Sequence, residues 1–214
     1  MLYRHKEGVS FRKASFDDLH LLTDMKNESW WGTHKSLIVN EEDQRKWFES
    51  ISDTSLFMIG YYSDEPLGVA IYTNIDYISR TLDISGIAIK SARIKSPYAS
   101  FAGFKAGTDF AFEILNMRRL NAEVLETNLA PLKIDTSILG FQYEGRKRQA
   151  IYKCGKYYDS IILGLLREDW EKQSRIISYG GCCNLNFDLK IAQRSITIAG
   201  KIINENINSR SLLQ

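Results

Sequence analysis

The segment of residues 27–34, Asn-Glu-Ser-Trp-Trp-Gly-Thr-His, concentrates side chains that could hold a cation and accept a proton. The carboxylate of Glu28 could attract an ammonium group, and the imidazole of His34 could act as a general base near neutral pH. Trp30 and Trp31 are adjacent and cannot both face one core, so at least one is expected to line a surface or cleft. An exposed indole suits the apolar face of a sugar ring or the stacking of a base. A single histidine is often only structural, and that alternative stays open.

Other side chains could extend this site. Three tyrosines could add to the aromatic platform: Tyr72, Tyr77 and Tyr143. Arg146 and Arg148 follow on one strand, and a pair of guanidinium groups at the mouth of a site would suit a nucleotide diphosphate. We therefore count Glu28, Trp30, Trp31, Tyr72 and Arg146 as candidate substrate-binding residues.

Composition restricts the class of protein. The 214 residues are 44% apolar and 25% charged, as in an ordinary globular domain. The 28 basic and 26 acidic residues nearly balance, which argues against a nucleic-acid partner bound by bulk charge. The three cysteines form neither a disulfide framework nor a metal-binding spacing. With no signal peptide and no long apolar run, we expect a reduced, cytoplasmic protein without a membrane segment.

Alternation of apolar and polar residues predicts strands, and apolar residues three or four apart predict helices. The predicted strands cover residues 9–13, 55–62, 67–74, 80–90, 120–125, 141–149 and 158–166. The predicted helices begin near Ser15 and Asn40 and cover residues 99–117 and 129–137. Early antiparallel hairpins followed by a β-α-β passage indicate an α/β fold, with a mixed, mainly antiparallel central sheet and helices on both faces.

The pattern changes near the C-terminus. We expect one domain over residues 1–170 and a C-terminal extension over residues 171–214, with an amphipathic helix at about 188–207. Gly180-Gly181 separates the two parts. The helix could pack on its own domain, on a second subunit of a homodimer, or on a dedicated partner.

Residues 115–170 show an order of elements that can be compared with known families. A strand-like run ends in Leu125-Glu126-Thr127-Asn128, a helix-length segment follows, and Leu139-Gly140-Phe141 leads into the next strand. This order resembles the C-terminal half of the GCN5-related N-acetyltransferase (GNAT) family, especially its ribosomal-protein, spermidine and amino-sugar acetyltransferases. The resemblance covers about residues 9–170. It implies the GNAT fold and the transfer of an acetyl group from acetyl-CoA to an amine.

The resemblance also implies a place for acetyl-CoA. Its pantetheine arm would lie beside the strand at 80–90, bonded by the backbone of Gly86, Ile87, Ala88 and Ile89, with Asn128 touching the arm. A lone Asn at a strand end is also a common turn former or helix cap. The pyrophosphate would bind at the N-terminus of the long helix. The residues expected there are Arg93, Lys95, Ser96, Tyr98 and Ala99. Ser96 and Tyr98 replace two glycines of the family pattern, which predicts an altered phosphate loop.

The acid and base of the family are also replaced. Relatives carry a tyrosine four residues before the Gly-Phe pair, where this chain has Thr136, and the spacing from Asn128 is one residue longer than usual. The glutamate that relatives carry on the splayed strand corresponds to Ser85, so Asp83 on the same face is the nearest acidic candidate. A solvated or salt-bridged carboxylate is the alternative for Asp83. The candidate catalytic residues are therefore His34, Asp83 and Thr136.

The acceptor is a separate prediction. We favour a small-molecule primary amine, in particular a nucleotide-linked amino sugar of a surface-polysaccharide pathway, because of the Trp30-Trp31 pair and the arginine-rich strand. A protein N-terminus or a polyamine is the alternative, although a polyamine would require several carboxylates and residues 41–43 offer only a modest cluster. A non-catalytic binding module is the alternative from another class, because of the lost glycines and the missing tyrosine.

Overall fold

An eight-stranded sheet forms the centre of the molecule. The computed structural model describes residues 2–6, 8–34, 40–50, 54–89 and 97–179. The strands are β1 (Leu2–Arg4), β2 (Val9–Lys13), β3 (Leu56–Tyr62), β4 (Glu65–Asp76), β5 (Thr81–Ile89), β6 (Arg119–Leu125), β7 (Gln142–Lys153) and β8 (Lys156–Leu166). Their order is β1-β2-β3-β4-β5-β6-β8-β7. Only β5 and β6 pair in parallel among these strands, so the predicted mixed, mainly antiparallel sheet is confirmed.

Five α-helices surround the sheet in the described residues. They are α1 (Leu19–Glu28), α2 (Glu41–Glu49), α3 (Pro97–Asp109), α4 (Leu129–Ile134) and α5 (Arg167–Tyr179). Short 3-10 turns occupy Phe16–Asp18 and Trp30–Gly32. Wider π-type turns, Phe110–Ile114 and Asp135–Leu139, extend α3 and α4. At the start of α2, the side chain of Asn40 accepts a hydrogen bond from the N–H of Asp43 at 2.7 Å, as expected of an N-cap.

The two faces of the sheet carry separate cores, which confirms helices on both faces. On one face, Leu22 and Met25 of α1 pack with Phe57 and Ile59 of β3. The intervening Met58 points to the other face, because side chains alternate along a strand. There it joins the larger core, built with α3 and its π-type extension.

The parallel pair β5–β6 opens partway along its length. Backbone pairing runs from Thr81 with Arg119 to Ile84 with Ala122. Beyond that point β5 pairs only with β4, as far as Ile89 with Gly68, and β6 pairs only with β8, as far as Leu125 with Ser160. Among the described residues, the facing edges of the two strands are therefore unpaired beyond Ile84 and Ala122. We call this opening the splay.

Several element boundaries differ from the sequence prediction. The short strand β1 was not predicted, and the predicted domain end near Trp170 falls within α5 (Arg167–Tyr179). The indole of Trp170 stacks on Phe112 at a centroid distance of 4.9 Å, so α5 packs on the same domain. The helix predicted at 188–207 lies outside the described residues. No helix in the described ranges is long and apolar enough to cross a membrane.

Candidate active site beside the splay

The segment Trp30–His34 is held against the C-terminal end of β6 and the end of β7. The amide Nδ2 of Asn128 donates a hydrogen bond to the carbonyl of Gly32 at 3.0 Å. The ammonium group of Lys153 donates to the carbonyls of Trp30 and Thr33, and it lies 5.2 Å from the centroid of the Trp30 ring. Three backbone carbonyls of the segment therefore accept hydrogen bonds from residues distant in sequence, Asn128 after β6 and Lys153 at the end of β7. These contacts define the position of His34.

The imidazole of His34 lies beside a buried hydroxyl. Its Nε2 is 2.7 Å from Oγ of Ser160, a fully buried residue of β8. Ser160 pairs with Leu125 at the end of β6, so His34 lies at the level of the sheet where β6 has separated from β5. Burial lowers the pKa of His34, Glu123 opposes this, and the cations Lys153 and Lys147 add to it. His34 is consequently neutral near pH 7 and able to accept a proton.

Glu123 completes this group of side chains. Its Oε1 is 3.7 Å from Nε2 of His34, and its Oε2 accepts a hydrogen bond from Nζ of Lys147 at 2.6 Å. Burial alone would raise the pKa of Glu123, but hydrogen bonds from Lys147 and Ser160 lower it below its usual value. Glu123 is thus a carboxylate at neutral pH, next to the neutral imidazole. We call His34, Ser160, Glu123 and Lys147 the His34 cluster.

The other two predicted catalytic residues do not join the His34 cluster. Asp83 lies in the closed part of the sheet, where it accepts hydrogen bonds from the amides of Asn74 and Asn121, both at 2.8 Å. The hydroxyl of Thr136 donates to the carbonyl of Leu132 in its own helix at 2.6 Å. In this arrangement Thr136 has no remaining proton to offer to a leaving group.

Two predicted substrate-binding residues require correction. Tyr72 is fully buried in the larger core, and its hydroxyl donates to the carbonyl of Gly107 at 2.9 Å, so it cannot form a platform for a substrate. Arg146 pairs in register with Ile161, whereas Lys147 pairs with Ser160, so Arg146 points to the opposite face from the His34 cluster. There its guanidinium is 2.8 Å from the carboxylate of Asp159 and 2.5 Å from that of Glu126.

The remaining candidates for substrate binding are Glu28, Trp30 and Trp31, which lie between the end of α1 and His34. Glu28 ends α1 and is exposed, and Trp31 is 58% exposed. Trp30 is half-buried and covers the ammonium group of Lys153. Trp31 is therefore the tryptophan of the pair that is available as an aromatic surface.

The predicted cofactor residues fall into three groups. Ile87, Ala88 and Ile89 lie on β5 with one backbone edge paired to β4 and the other facing the splay. Tyr98 and Ala99 lie in the first turn of α3, where the ring of Tyr98 is exposed and the side chain of Ala99 is buried. Arg93, Lys95 and Ser96 lie outside the described residues. Asn128, expected to touch the cofactor, donates one amide N–H to the carbonyl of Gly32.

Four members of the site were missed from the sequence: Glu123, Lys147, Lys153 and Ser160. Ser160 had a detectable signal, since it is a small hydroxyl residue at the start of an apolar run in β8. Glu123 and Lys153 occupy strand positions where charged residues are commonly only solvated, so their types alone distinguish nothing.

The family of the protein follows from a comparison of its sequence with known protein families. A family model described as an acetyltransferase (GNAT) domain matches residues 16–162, which include both strands of the splay and the whole His34 cluster. The chain belongs to the GNAT acetyltransferase family. It is therefore an acetyl-CoA-dependent N-acetyltransferase, and the reaction class and cofactor predicted from the sequence are confirmed.

Solved structures of GNAT enzymes share the fold. A spermidine N-acetyltransferase from Vibrio cholerae, solved with CoA and spermine, superposes with a TM-score of 0.68 at 16% identity, covering 78% of this chain and 99% of that chain. A dodecameric structure of spermidine N-acetyltransferase from the same organism gives 0.65 at 17% identity, covering 79% and 99%. No curated protein matches the sequence. At these identities the similarity establishes the fold alone.

Proposed function

We propose that this GNAT enzyme acetylates the primary amine of a small cationic molecule, with His34 as the general base. The position of His34 carries the proposal. Its neutral imidazole lies at the level where β5 and β6 separate, and it is held there through Asn128, Lys153 and Ser160. An amine nitrogen must lose a proton as it becomes an amide, and a neutral imidazole within reach can accept that proton.

The splay fits the pantetheine arm of acetyl-CoA. The free edge of β5 at Gly86–Ile89 presents backbone N–H and C=O groups, and an extended ligand can pair with such an edge as an added strand does. The first turn of α3 offers unpaired N–H groups to the pyrophosphate, and Arg93 and Lys95 precede it in the sequence. Bound there, acetyl-CoA supplies an activated acetyl thioester.

The chain's own residues then have distinct tasks. His34 accepts the proton that the amine loses, and the carboxylate of Glu123 stabilises the imidazolium that results. Glu28 attracts the cationic substrate to the segment, and the exposed ring of Trp31 covers its apolar part. The covered position of Ser160 keeps bulk water away from one side of the imidazole.

For the acceptor, we favour a polyamine or a similar aliphatic amine. Its support is the fold similarity to spermidine acetyltransferases and the presence of Glu28 and Glu123 on the segment side of the sheet. The nucleotide-linked amino sugar loses the support of Arg146, which lies on the opposite face, but the exposed Trp31 still favours a sugar ring. It therefore remains the second candidate.

Acetyl-CoA consumption should be measured against spermidine, UDP- and dTDP-amino sugars and N-terminal peptides. We expect turnover with spermidine, and turnover confined to amino sugars would establish the second candidate instead. His34→Ala should reduce turnover about 100-fold or more, the usual contribution of a general base. Glu49→Ala, an exposed change on α2, serves as the control; an active His34→Ala enzyme would refute the assignment of the base.

The predicted homodimer also remains a proposal. It rests on the apolar helical pattern at 188–207, which could be covered by a second subunit. Light scattering on the full chain tests it, and a mass of one chain would contradict it.

A further inference from the structure

Asp135 places a carboxyl group in the interior of the molecule without a partner. The residue is 7% exposed, and among the described residues its side chain has no hydrogen-bond or ion partner. The neighbouring hydroxyl, that of Thr136, is bonded to the carbonyl of Leu132. An unpaired polar group in an apolar interior destabilises a fold, so packing alone does not explain an aspartate at this position.

The carboxyl of Asp135 lies on the face of the sheet that α3 covers. Leu132 of α4 packs against the larger core, and Leu139 belongs to that core. Asp135 follows Leu132 by three residues and precedes Leu139 by four, so all three lie on the inward side of the helix. A Cβ atom built on Gly140 would lie 3.7 Å from Cδ1 of Leu165, a core residue of β8. The turn that carries Asp135 therefore packs on the same core as α3.

Along the strands, Asp135 is level with the closed end of the splay. The chain leaves β6 at Leu125 and returns to the sheet at Gln142, which is level with Asn121 because both pair with the same residue of β8. Asp135 lies near the middle of the helical segment that spans this distance. It is therefore level with the middle of that stretch of β6, next to Ala122, where the pairing of β6 with β5 ends.

The His34 cluster lies on the opposite face of the sheet. His34 contacts Ser160, and side chains alternate along β8, so Ser160 and Leu165 point to opposite faces. The splay thus has an imidazole on one face and the carboxyl of Asp135 on the other. The two groups can act on different atoms of one reaction.

Transfer of an acetyl group from CoA to an amine requires a proton at the sulfur. The bond between the carbonyl carbon and nitrogen forms, the bond between that carbon and sulfur breaks, and the sulfur keeps the electron pair. His34 can accept the proton that the amine loses, but it supplies none to the departing sulfur. A proton donor on the other face of the splay would complete the exchange.

We infer that Asp135 is a catalytic residue, the general acid that gives its proton to the sulfur of CoA as the thioester is cleaved. Asp135 becomes a carboxylate, CoA leaves as the neutral thiol, and water returns a proton to Asp135 before the next turnover. The inference goes beyond the proposed function, because it concerns the leaving group and depends neither on His34 nor on the identity of the amine.

The environment of Asp135 suits an acid that works near neutral pH. Burial raises the pKa of its carboxyl to about 7, so about half of the molecules carry the proton at that pH, against about one in a thousand for an ordinary aspartate. A thiol has an ordinary pKa of about 8.5, so proton transfer from this carboxyl to a thiolate is favourable.

The charged groups near the turn leave this pKa to burial. Lys133 on α4 is exposed, and Asp169 on α5, the helix beside the turn, pairs with Lys172 at 3.7 Å. Burial is the cause of the raised pKa, and no ion pair with a described residue opposes it.

The first test observes the carboxyl without turnover. In ¹³C NMR of the full chain labelled at the aspartate carboxyl carbons, the signal that Asp135→Asn removes should titrate near pH 7 in the free protein. Saturating CoA should shift that signal, and a CoA analogue with hydrogen in place of the thiol should shift it less. Equal shifts with the two ligands would overturn the inference. This readout needs no amine, so it stands even if the proposed acceptor and base are wrong.

The second test is the pH dependence of turnover, measured with the amine that the acceptor panel identifies. An acid must carry its proton, so wild-type kcat should fall as the pH rises through about 7. Asp135→Asn should lose this falling limb and about 100-fold in kcat, with little change in the Kd for acetyl-CoA. Asp169→Asn removes a carboxyl from the helix beside the same turn and is the matched control.

Wild-type kcat in Asp135→Asn would refute the assignment of the acid, and so would a wild-type enzyme without the falling limb. Thermal unfolding checks the fold of Asp135→Asn. If that variant does not fold, Asp135→Glu identifies the same aspartate signal, and the comparison of CoA with its thiol-free analogue decides.

Discussion

The side-chain amide of Asn128 and the backbone carbonyl of Gly32 meet at 3.0 Å across 96 residues of sequence. A Cβ atom built on Gly32 would lie 2.6 Å from Nδ2 and 3.0 Å from Cγ of Asn128. The hydrogen bond therefore requires glycine at position 32. It joins the segment that carries His34 to the turn that follows β6, next to the splay.

Gly32→Ala should displace either Asn128 or the Trp30–His34 segment. Because His34 is two residues away, a shift of about 1 Å would misplace the base, and kcat should fall about 10- to 100-fold while stability changes little. Steady-state kinetics and thermal unfolding measure the two effects. Gly145→Ala is a matched control, since its nearest neighbour would be 3.8 Å from the new Cβ. Wild-type kcat in Gly32→Ala would show that the contact does not position His34.

Activity should depend on pH through His34. Burial lowers the pKa of His34 below the ordinary histidine value, and the base is active when neutral, so kcat should rise with pH along a limb whose midpoint lies below about 6.5. Glu123→Gln removes the charge that opposes this shift, and the midpoint should move further down. A limb with its midpoint above 7, or the same limb in His34→Ala, would argue against His34.

The sequence predicts where the strands lie more easily than it predicts the face of the sheet to which each side chain points. Alternation predicted seven of the strands to within a few residues, but β1 has only 3 residues, too few for a pattern to register. Register shifts between Tyr143 and Gly145 and between Lys147 and Ile151 interrupt the alternation of β7. For this reason the sequence could not assign the face of Arg146, which lies on the face of the sheet opposite to the His34 cluster.

In the helix after β6, too, the sequence predicts the element but not the direction of its side chains. The family resemblance implies one extra residue between Asn128 and Gly140, and in the structure this stretch contains the π-type turn Asp135–Leu139 at the end of α4. The turn buries Asp135 and leaves Thr136 bonded to Leu132. The spacing shows that this stretch departs from the family pattern, but it does not show in which direction the side chains of Asp135 and Thr136 point.

Asp135 should make stability depend on pH. Burial raises the pKa of its carboxyl to about 7, and the described residues offer it no hydrogen-bond or ion partner. The pKa of Asp135 is higher in the folded than in the unfolded protein. The contribution of this carboxyl to the free energy of unfolding is therefore fully present below pH 4. Between pH 4 and 7 it is lost by about 1.4 kcal/mol per pH unit. Above pH 7 the loss levels off.

Asp135→Asn removes that titration. Urea unfolding at pH 4 to 8 measures the free energy of unfolding of both proteins. Relative to wild type, that of Asp135→Asn should increase by up to about 4 kcal/mol as the pH rises from 4 to 7. Asp64→Asn, an exposed change in the turn between β3 and β4, is the control. A difference between Asp135→Asn and wild type that does not vary with pH would contradict the raised pKa.

Asp109 should be the most sensitive charged position for folding. Its carboxylate is 1% exposed and accepts hydrogen bonds from Nε2 of His5 at 2.8 Å, Nζ of Lys105 at 2.7 Å and Nε1 of Trp170 at 2.7 Å. It thus connects the N-terminal hairpin, α3 and α5. Burial alone would raise its pKa, but these donors hold the pKa below the usual value.

Asp109→Ala would leave Lys105, itself 2% exposed, as a buried charge without its carboxylate, so the free energy of unfolding should fall by about 3–5 kcal/mol. The double variant Lys105→Met/Asp109→Leu removes both charges and should recover most of the loss. Urea unfolding of the three proteins measures both effects. A double variant no more stable than Asp109→Ala would show that the hydrogen bonds from His5 and Trp170, rather than the stranded charge of Lys105, account for the loss.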